Sequence, residues 1–165
     1  MRGGFMSSTD YKKMYQKIFK VMGELTPLKA DCGKLCAGAC CKGDSDTGMR
    51  LFPFEETCLP VTYLKTGDRL VVCDGSCNRN ERPLACRIFP FFPTIDDNGK
   101  VFVEPDFRAK RLCPLLTHSE EILFDKRFFK AVKRVGKIIA KDEKCREFLR
   151  KSTEEIDTYA EFLGE

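Results

Sequence analysis

Cys32-Gly33-Lys34-Leu35-Cys36-Ala37-Gly38-Ala39-Cys40-Cys41, and further on Cys73-Asp74-Gly75-Ser76-Cys77 with Arg82-Pro83-Leu84-Ala85-Cys86-Arg87-Ile88-Phe89-Pro90-Phe91, decide how this chain folds. Eight of its ten cysteines lie within residues 31–90, and Cys113 precedes Pro114. His118 is the single histidine, so a metal site here must be rich in sulfur. Thiolates select zinc, copper(I) or iron–sulfur clusters over magnesium or calcium. Hydrophobic residues make up 42% of the 165, and the cysteines are counted in that share. Set aside as ligands, they leave a thin core, and something besides apolar burial is expected to hold the middle of the chain.

A disulfide framework is the competing explanation for ten cysteines. Ten in 165 is about 6%, below the roughly 8–10% of disulfide scaffolds, which are also shorter. Cys40 and Cys41 are neighbours whose side chains diverge, so they could pair only in a strained ring. Cys58 and Cys145 stand apart and suit the role of small buried hydrophobes. The spacing Cys-x3-Cys-x3-Cys-Cys departs from the Cys-x2-Cys of zinc knuckles, and adjacent cysteines suit a polynuclear centre or two nearby sites. Cys113-Pro114 is a weak echo of iron–sulfur binding runs, which end in Cys-Pro.

Outward from this centre the pattern becomes helical. Tyr11, Met14, Tyr15, Ile18, Met22 and Leu25 recur at spacings of three and four, with Ser8 or Thr9 as cap and Pro27 as stop. Beyond residue 116 a helix is expected to begin near Ser119 with Glu120, Glu121 and Ile122. Its stripe is Phe124, Phe128, Val132, Val135 and Ile139, and after a break at Lys141-Asp142 a second stripe runs from Cys145 through Phe148, Leu149, Ile156 and Tyr159 to Leu163. Strands are expected at 69–72, 87–89 and 100–103, with Asp96-Asp97-Asn98-Gly99 turning a hairpin. The fold class expected is a small, irregular α+β domain spanning 1–165. An N-terminal helix (1–29) and a C-terminal helical pair (116–165) flank a cysteine-rich metal-binding core of loops and a short hairpin (30–115).

Charge excludes little. The net charge is +4, and residues 125–151 carry eleven Lys or Arg against four acids, but the following stretch is acidic. A solvated helical face is the expected meaning, and nucleic acid is not an expected partner. No apolar run approaches the roughly 18 residues of a membrane span, and Met1–Ser8 lacks a signal-peptide stretch. The expected compartment is the cytoplasm, where thiols stay reduced.

The cysteine run and the segment Arg82-Pro83-Leu84-Ala85-Cys86-Arg87-Ile88-Phe89-Pro90-Phe91 resemble the zinc- or iron-chelating CxxCxxCC domain family. That family includes the YkgJ-like proteins and is related to the cysteine-rich region of flagellin lysine N-methylase. The likeness covers residues 30–115, with x3 gaps here where the family has x2 and Asn78-Arg79-Asn80 where an aromatic is common. It implies metal ligands at Cys32, Cys36, Cys40, Cys41, Cys73, Cys77, Cys86 and Cys113, with Cys36, Cys40, Cys41 and Cys86 as a first choice for one site. It also implies an iron–sulfur cluster or Zn2+ as cofactor, and a link to protein-lysine methylation with a protein substrate or partner. Arg82 and Arg87 flank Cys86 and are expected to serve the cofactor, either by donating to anionic sulfur or by capturing an acidic group. The alternative is that both are surface arginines beside a buried strand. Pro83, Pro90 and Pro93 stiffen the approach; Phe89, Phe91 and Phe92 either shield the centre or are plain core. His118 is expected to be a cap or surface residue. No glycine-rich strand–turn–helix for a nucleotide cofactor is present, and no catalytic acid, base or nucleophile stands out. A metal carrier and a zinc-stapled interaction module with a basic helix over 126–137 are the rival readings.

Overall fold

The structure is a computed structural model that describes residues 6–42, 48–118, 120 and 122–165. Helix α1 (Ser8–Met22) is capped by Ser7, one residue before the expected Ser8 or Thr9. The Ser7 hydroxyl accepts from the Asp10 N–H while the Asp10 carboxylate accepts from the Ser7 N–H, a reciprocal capping box. Gly23, at φ +49, ends it before Leu25 can join. Helices α5 (Lys126–Ile139) and α6 (Glu143–Leu163) form the C-terminal pair. The expected start near Ser119 and Glu121 lies outside the described residues, and α5 itself begins later, because the Asp125 carboxylate accepts from the Arg127 N–H. The break at Lys141-Asp142 is present, with Asp142 capping α6 through the Cys145 N–H. α1 packs on α5. Ile18, Met22, Phe128, Val132, Val135, Ile139, Leu149 and Ile156 are almost wholly removed from water. The stripe of α6 fades at its end, where Tyr159 and Phe162 are exposed.

Between the helices lie short elements. β1 (Met49–Arg50), β2 (Val61–Tyr63) and β3 (Arg69–Val71) make an antiparallel sheet in the order β1-β3-β2, with Val71 opposite both Met49 and Val61. A second, two-stranded sheet pairs β4 (Phe91–Phe92) with β5 (Glu104–Pro105). The Asp96–Gly99 turn forms as expected: the Asp96 carboxylate accepts from the Asn98 and Lys100 N–H groups, and Gly99 takes φ +79. Its legs differ from expectation. Residues 100–103 meet the other leg through the single bridge Ile95–Val101, and the paired residues lie farther out. Residues 87–89 are not a strand, because Leu84–Ile88 form helix α3 with Pro83 as its N-cap. Pro83 is suited to a helix entrance, and the apolar run Leu84, Ala85, Ile88 has the 3–4 spacing of one short helix face.

The remaining contacts tie this middle to the helices. Arg108 donates to Asp106 and to Glu155, each at 2.8 Å, and Arg50 donates to the same Glu155 at 2.9 Å, joining β1 to α6. Phe52 lies between Phe92 and Phe148, and Tyr11 reaches Asp142 from α1 at 3.0 Å. The coarse α+β class is therefore the one observed. Among the described residues no helix is long and apolar enough to cross a membrane.

Candidate metal centre

The first cysteine run folds as two tight turns. Cys32 caps helix α2 (Gly33–Cys36), so Cys32 and Cys36 stand four residues apart on one face. Ala37 (φ +49) and Gly38 (φ +67) then take the left-handed conformation in succession and reverse the chain into a 3-10 turn over Ala39–Cys41. Ala37 carries a Cβ in a region that glycine prefers, which is local strain placed between two cysteines. A bridge between Lys42 and Asp74 brings the end of this run to the second one. There the Asp74 carboxylate accepts from the Ser76 N–H at 2.9 Å, and Gly75 takes φ +95, curling the chain between Cys73 and Cys77.

Cys86 arrives on α3, and the helix is fixed by a buried carboxylate that the sequence reading missed. Glu55 has no exposed surface. It accepts from the Leu84 N–H at 2.6 Å, at the start of α3, and from the Phe52 N–H at 3.3 Å. Burial pushes its carboxyl up to about 7, against those two donors and Arg69, which pull it down. Phe54, just before it, sits at φ +61 and stacks on Tyr11. An acid directly after the apolar run Leu51–Phe54 was the available signal.

The thiols surround one half-open cavity of about 260 Å³. Its wall includes Cys32, Cys40, Cys41, Cys73, Cys77 and Cys86, together with Arg82, Phe89 and Val71. Gly48 belongs to the same wall, and a Cβ there would stand 2.3 Å from the Val71 carbonyl oxygen, so only glycine lets β1 and β3 approach this closely. Cys36 and Cys113 adjoin the group, since both are electrostatic neighbours of Cys32 or its partners. All eight cysteines of the motif are thus gathered in one region. Cys58 is exposed, and Cys145 is buried beside Asp142 and apart from the group. All ten are free thiols. The Cys40 and Cys41 sulfurs do not diverge as expected: they lie 4.0 Å apart, about twice an S–S bond. That separation is close to the edge, about 3.8 Å, of a tetrahedron of sulfurs set about 2.3 Å from an ion.

Burial, followed by the neighbouring Cys41, pushes the Cys40 thiol up to about 12. Burial, then Cys41 and Cys77, likewise raises Cys86; burial raises Cys73, with Cys77 and Cys41 adding to it. These groups repel one another as anions and need a cation among them to ionise together. Arg82 supplies one. Burial lowers its affinity for a proton, but a hydrogen bond to Cys77 and the proximity of Cys41 and Cys86 outweigh this and raise it. Its Nε is buried without a partner. Arg87 is committed elsewhere: it donates to the carbonyls of Arg82 and Asn80 at 2.8 Å and lies over Phe19. It clamps the loop between Cys77 and Cys86. His118 is exposed at the end of helix α4 (Pro114–Thr117).

Eight soft donors that repel one another as anions suit a thiophilic metal, and the unpartnered Arg82 N–H suits an anionic sulfur. Among the described residues, no three His, Cys, Asp or Glu side chains are arranged to hold an ion as they stand; the sulfurs line a wall and do not close on a point. No family model matches the chain, no curated protein matches it, and no solved structure matches it.

Proposed function

We propose that this chain is a cytoplasmic metal-binding protein that holds zinc or an iron–sulfur cluster through clustered thiolates. The ligands are drawn from Cys32, Cys36, Cys40, Cys41, Cys73, Cys77, Cys86 and Cys113. One observation carries this reading: the eight cysteines of the motif share one region with Arg82, while Cys58 and Cys145 are left out of it. A bound metal would supply the positive charge that lets the thiols ionise together. Arg82 donates to sulfur, Arg87 fixes the Cys77–Cys86 loop, and Glu55 fixes the helix that carries Cys86. The resemblance to the zinc- or iron-chelating CxxCxxCC family supports the same function and extends it to a link with protein-lysine methylation and a protein partner.

The test is anaerobic purification followed by assay of zinc, iron and acid-labile sulfide per chain. Stoichiometric metal is expected, lost or halved in Cys86→Ser with helical circular dichroism retained. A folded, metal-free chain whose ten thiols all react freely would overturn the proposal.

A further inference from the structure

Helices α1 and α5 lie side by side and antiparallel. Tyr11, near the start of α1, reaches Asp142 beyond the end of α5, and the Asp125 N–H at the start of α5 donates to the Pro27 carbonyl beyond the end of α1. One flank of each helix is occupied. Tyr15 donates to the Pro53 carbonyl and Phe19 lies under Arg87, while Gly136 meets Pro93 and Val101 and Lys133 lies over Phe102. The seam between the helices therefore runs along the opposite flanks, past Met14, Ile18 and Val21 on α1 and Ala131, Val135 and Ile138 on α5. Lys17 falls between Met14 and Val21 as Arg134 falls between Ala131 and Ile138, with the same spacing. Each is the middle of an exposed row: Lys13, Lys17 and Lys20 on α1, and Lys130, Arg134 and Lys137 on α5. Two matching rows of cations thus border one seam.

The two helices carry ten Lys or Arg, four on α1 and six on α5, against one acid, Asp10, which Ser7 holds in the capping box. Among the described residues, none of the six cations in the rows is in a salt bridge. The acids of α6 sit elsewhere: Glu155 meets Arg50 and Arg108, and Glu154 and Asp157 line a hollow with Asp96 and Asp97. Sequence alone averages α5 against those acids; the fold separates them. Among the described residues no large apolar side chain of α1 or α5 is exposed. The face therefore lacks both the apolar side of a membrane-surface helix and the aromatic platform of a single-strand binder. Each row advances seven residues, about 10.5 Å of helix. A duplex presents one phosphate charge per about 1.7 Å of its axis, so six cations over this length match a repeating polyanion of comparable charge density. From this geometry we infer that the α1–α5 face binds the phosphate backbone of duplex DNA. Gln16 is the one amide side chain on either helix that could address a base edge, so binding is independent of base sequence.

Fluorescence anisotropy of a labelled DNA duplex of about 20 base pairs, titrated with the full chain between about 50 and 200 mM salt, tests this. Affinity is expected to fall with salt at a log–log slope between about −3.6 and −5.4, from four to six phosphates at about 0.9 each, and to be the same for duplexes of different sequence. Lys17→Glu/Arg134→Glu places one reversal in each row. It is expected to weaken binding more than about tenfold at the lowest salt and to flatten the slope by about 1.8. Lys65→Glu/Lys151→Glu makes the same change in net charge at exposed positions outside the face, and a loss under about threefold is expected. All four side chains are exposed, so both variants are expected to keep the circular dichroism of the unsubstituted chain. Equal losses in the two double variants would reduce the effect to net charge and overturn the assignment of the face. Absence of binding at the lowest salt overturns it as well. Tighter binding to an RNA duplex of the same sequence, or to phosphatidylserine vesicles, would overturn duplex DNA as the partner.

Discussion

The helical pair with α1 and the two cysteine loops are built on opposite terms. Along α5, six of fourteen residues are buried, and Phe128, Val132, Val135 and Ile139 are fully so. Among the described side chains of residues 31–42 and 73–82, none is buried. The loops are held instead by turns, by the Lys42–Asp74 bridge, and by Arg79 and Arg87 reaching backbone carbonyls. The first region is stabilised by removing apolar surface from water. The second carries thiols in place of buried apolar side chains, and under the proposed function a bound metal would hold it.

Substitutions that act on one region and spare the other probe this contrast. The largest effect is expected from Phe128→Ala, which empties a fully buried site at the junction of Phe91 and Phe129. A loss of about 3–5 kcal/mol is expected for such a truncation, measured by urea unfolding, whether or not metal is present. An equal loss that appears only in the metal-loaded protein would erase the distinction between the regions.

Glu55 lies on the boundary, and its effect should depend on pH. Its folded pKa is raised from 4.5 to about 7, so between those values the folded chain binds a proton that the unfolded chain has lost. Stability is full below about 4.5 and declines as pH rises through about 7, by at most about 3 kcal/mol at 1.36 kcal/mol per pKa unit. Glu55→Gln is expected to flatten this decline in unfolding curves of the metal-free protein across that range. An unchanged slope would show that Glu55 titrates normally.

A smaller effect is expected where α5 meets the hairpin. A Cβ on Gly136 would stand 2.6 Å from the Pro93 Cβ and 2.7 Å from the Val101 Cγ1. Gly136→Ala therefore costs about 1–3 kcal/mol by overpacking, reduced by about 1 kcal/mol of helix propensity. A rise in melting temperature would mean that the hairpin yields without cost.

The helices were legible because their stripes are long: Phe128, Val132, Val135 and Ile139 repeat over about three turns, and burial follows that period directly. The cysteines were legible as a set, because they cluster in sequence and the two loops that carry most of them are brought together by the Lys42–Asp74 bridge. The strand expected over 87–89 is the end of helix α3, whose five residues are too few for the spacing of Leu84, Ala85 and Ile88 to stand out, and Pro83 reads equally well as a strand edge or a helix entrance. The thin core expected across 30–115 is confined to the two loops, since Phe52, Leu84, Ile88, Phe91 and Phe92 are buried. The role of Glu55 rests on a partner far away in sequence, Leu84, which no local pattern encodes, and that of Arg87 on the carbonyls of Asn80 and Arg82, whose backbone groups carry no residue-type signal.

Hydrogen exchange followed by mass spectrometry, before and after complete chelation, tests the central claim most directly. Faster exchange over residues 32–42 and 73–82 is expected on metal removal, with α5 and α6 protected as before. Exchange unchanged in both loops after the metal has gone would contradict a thiolate centre as the element that holds them.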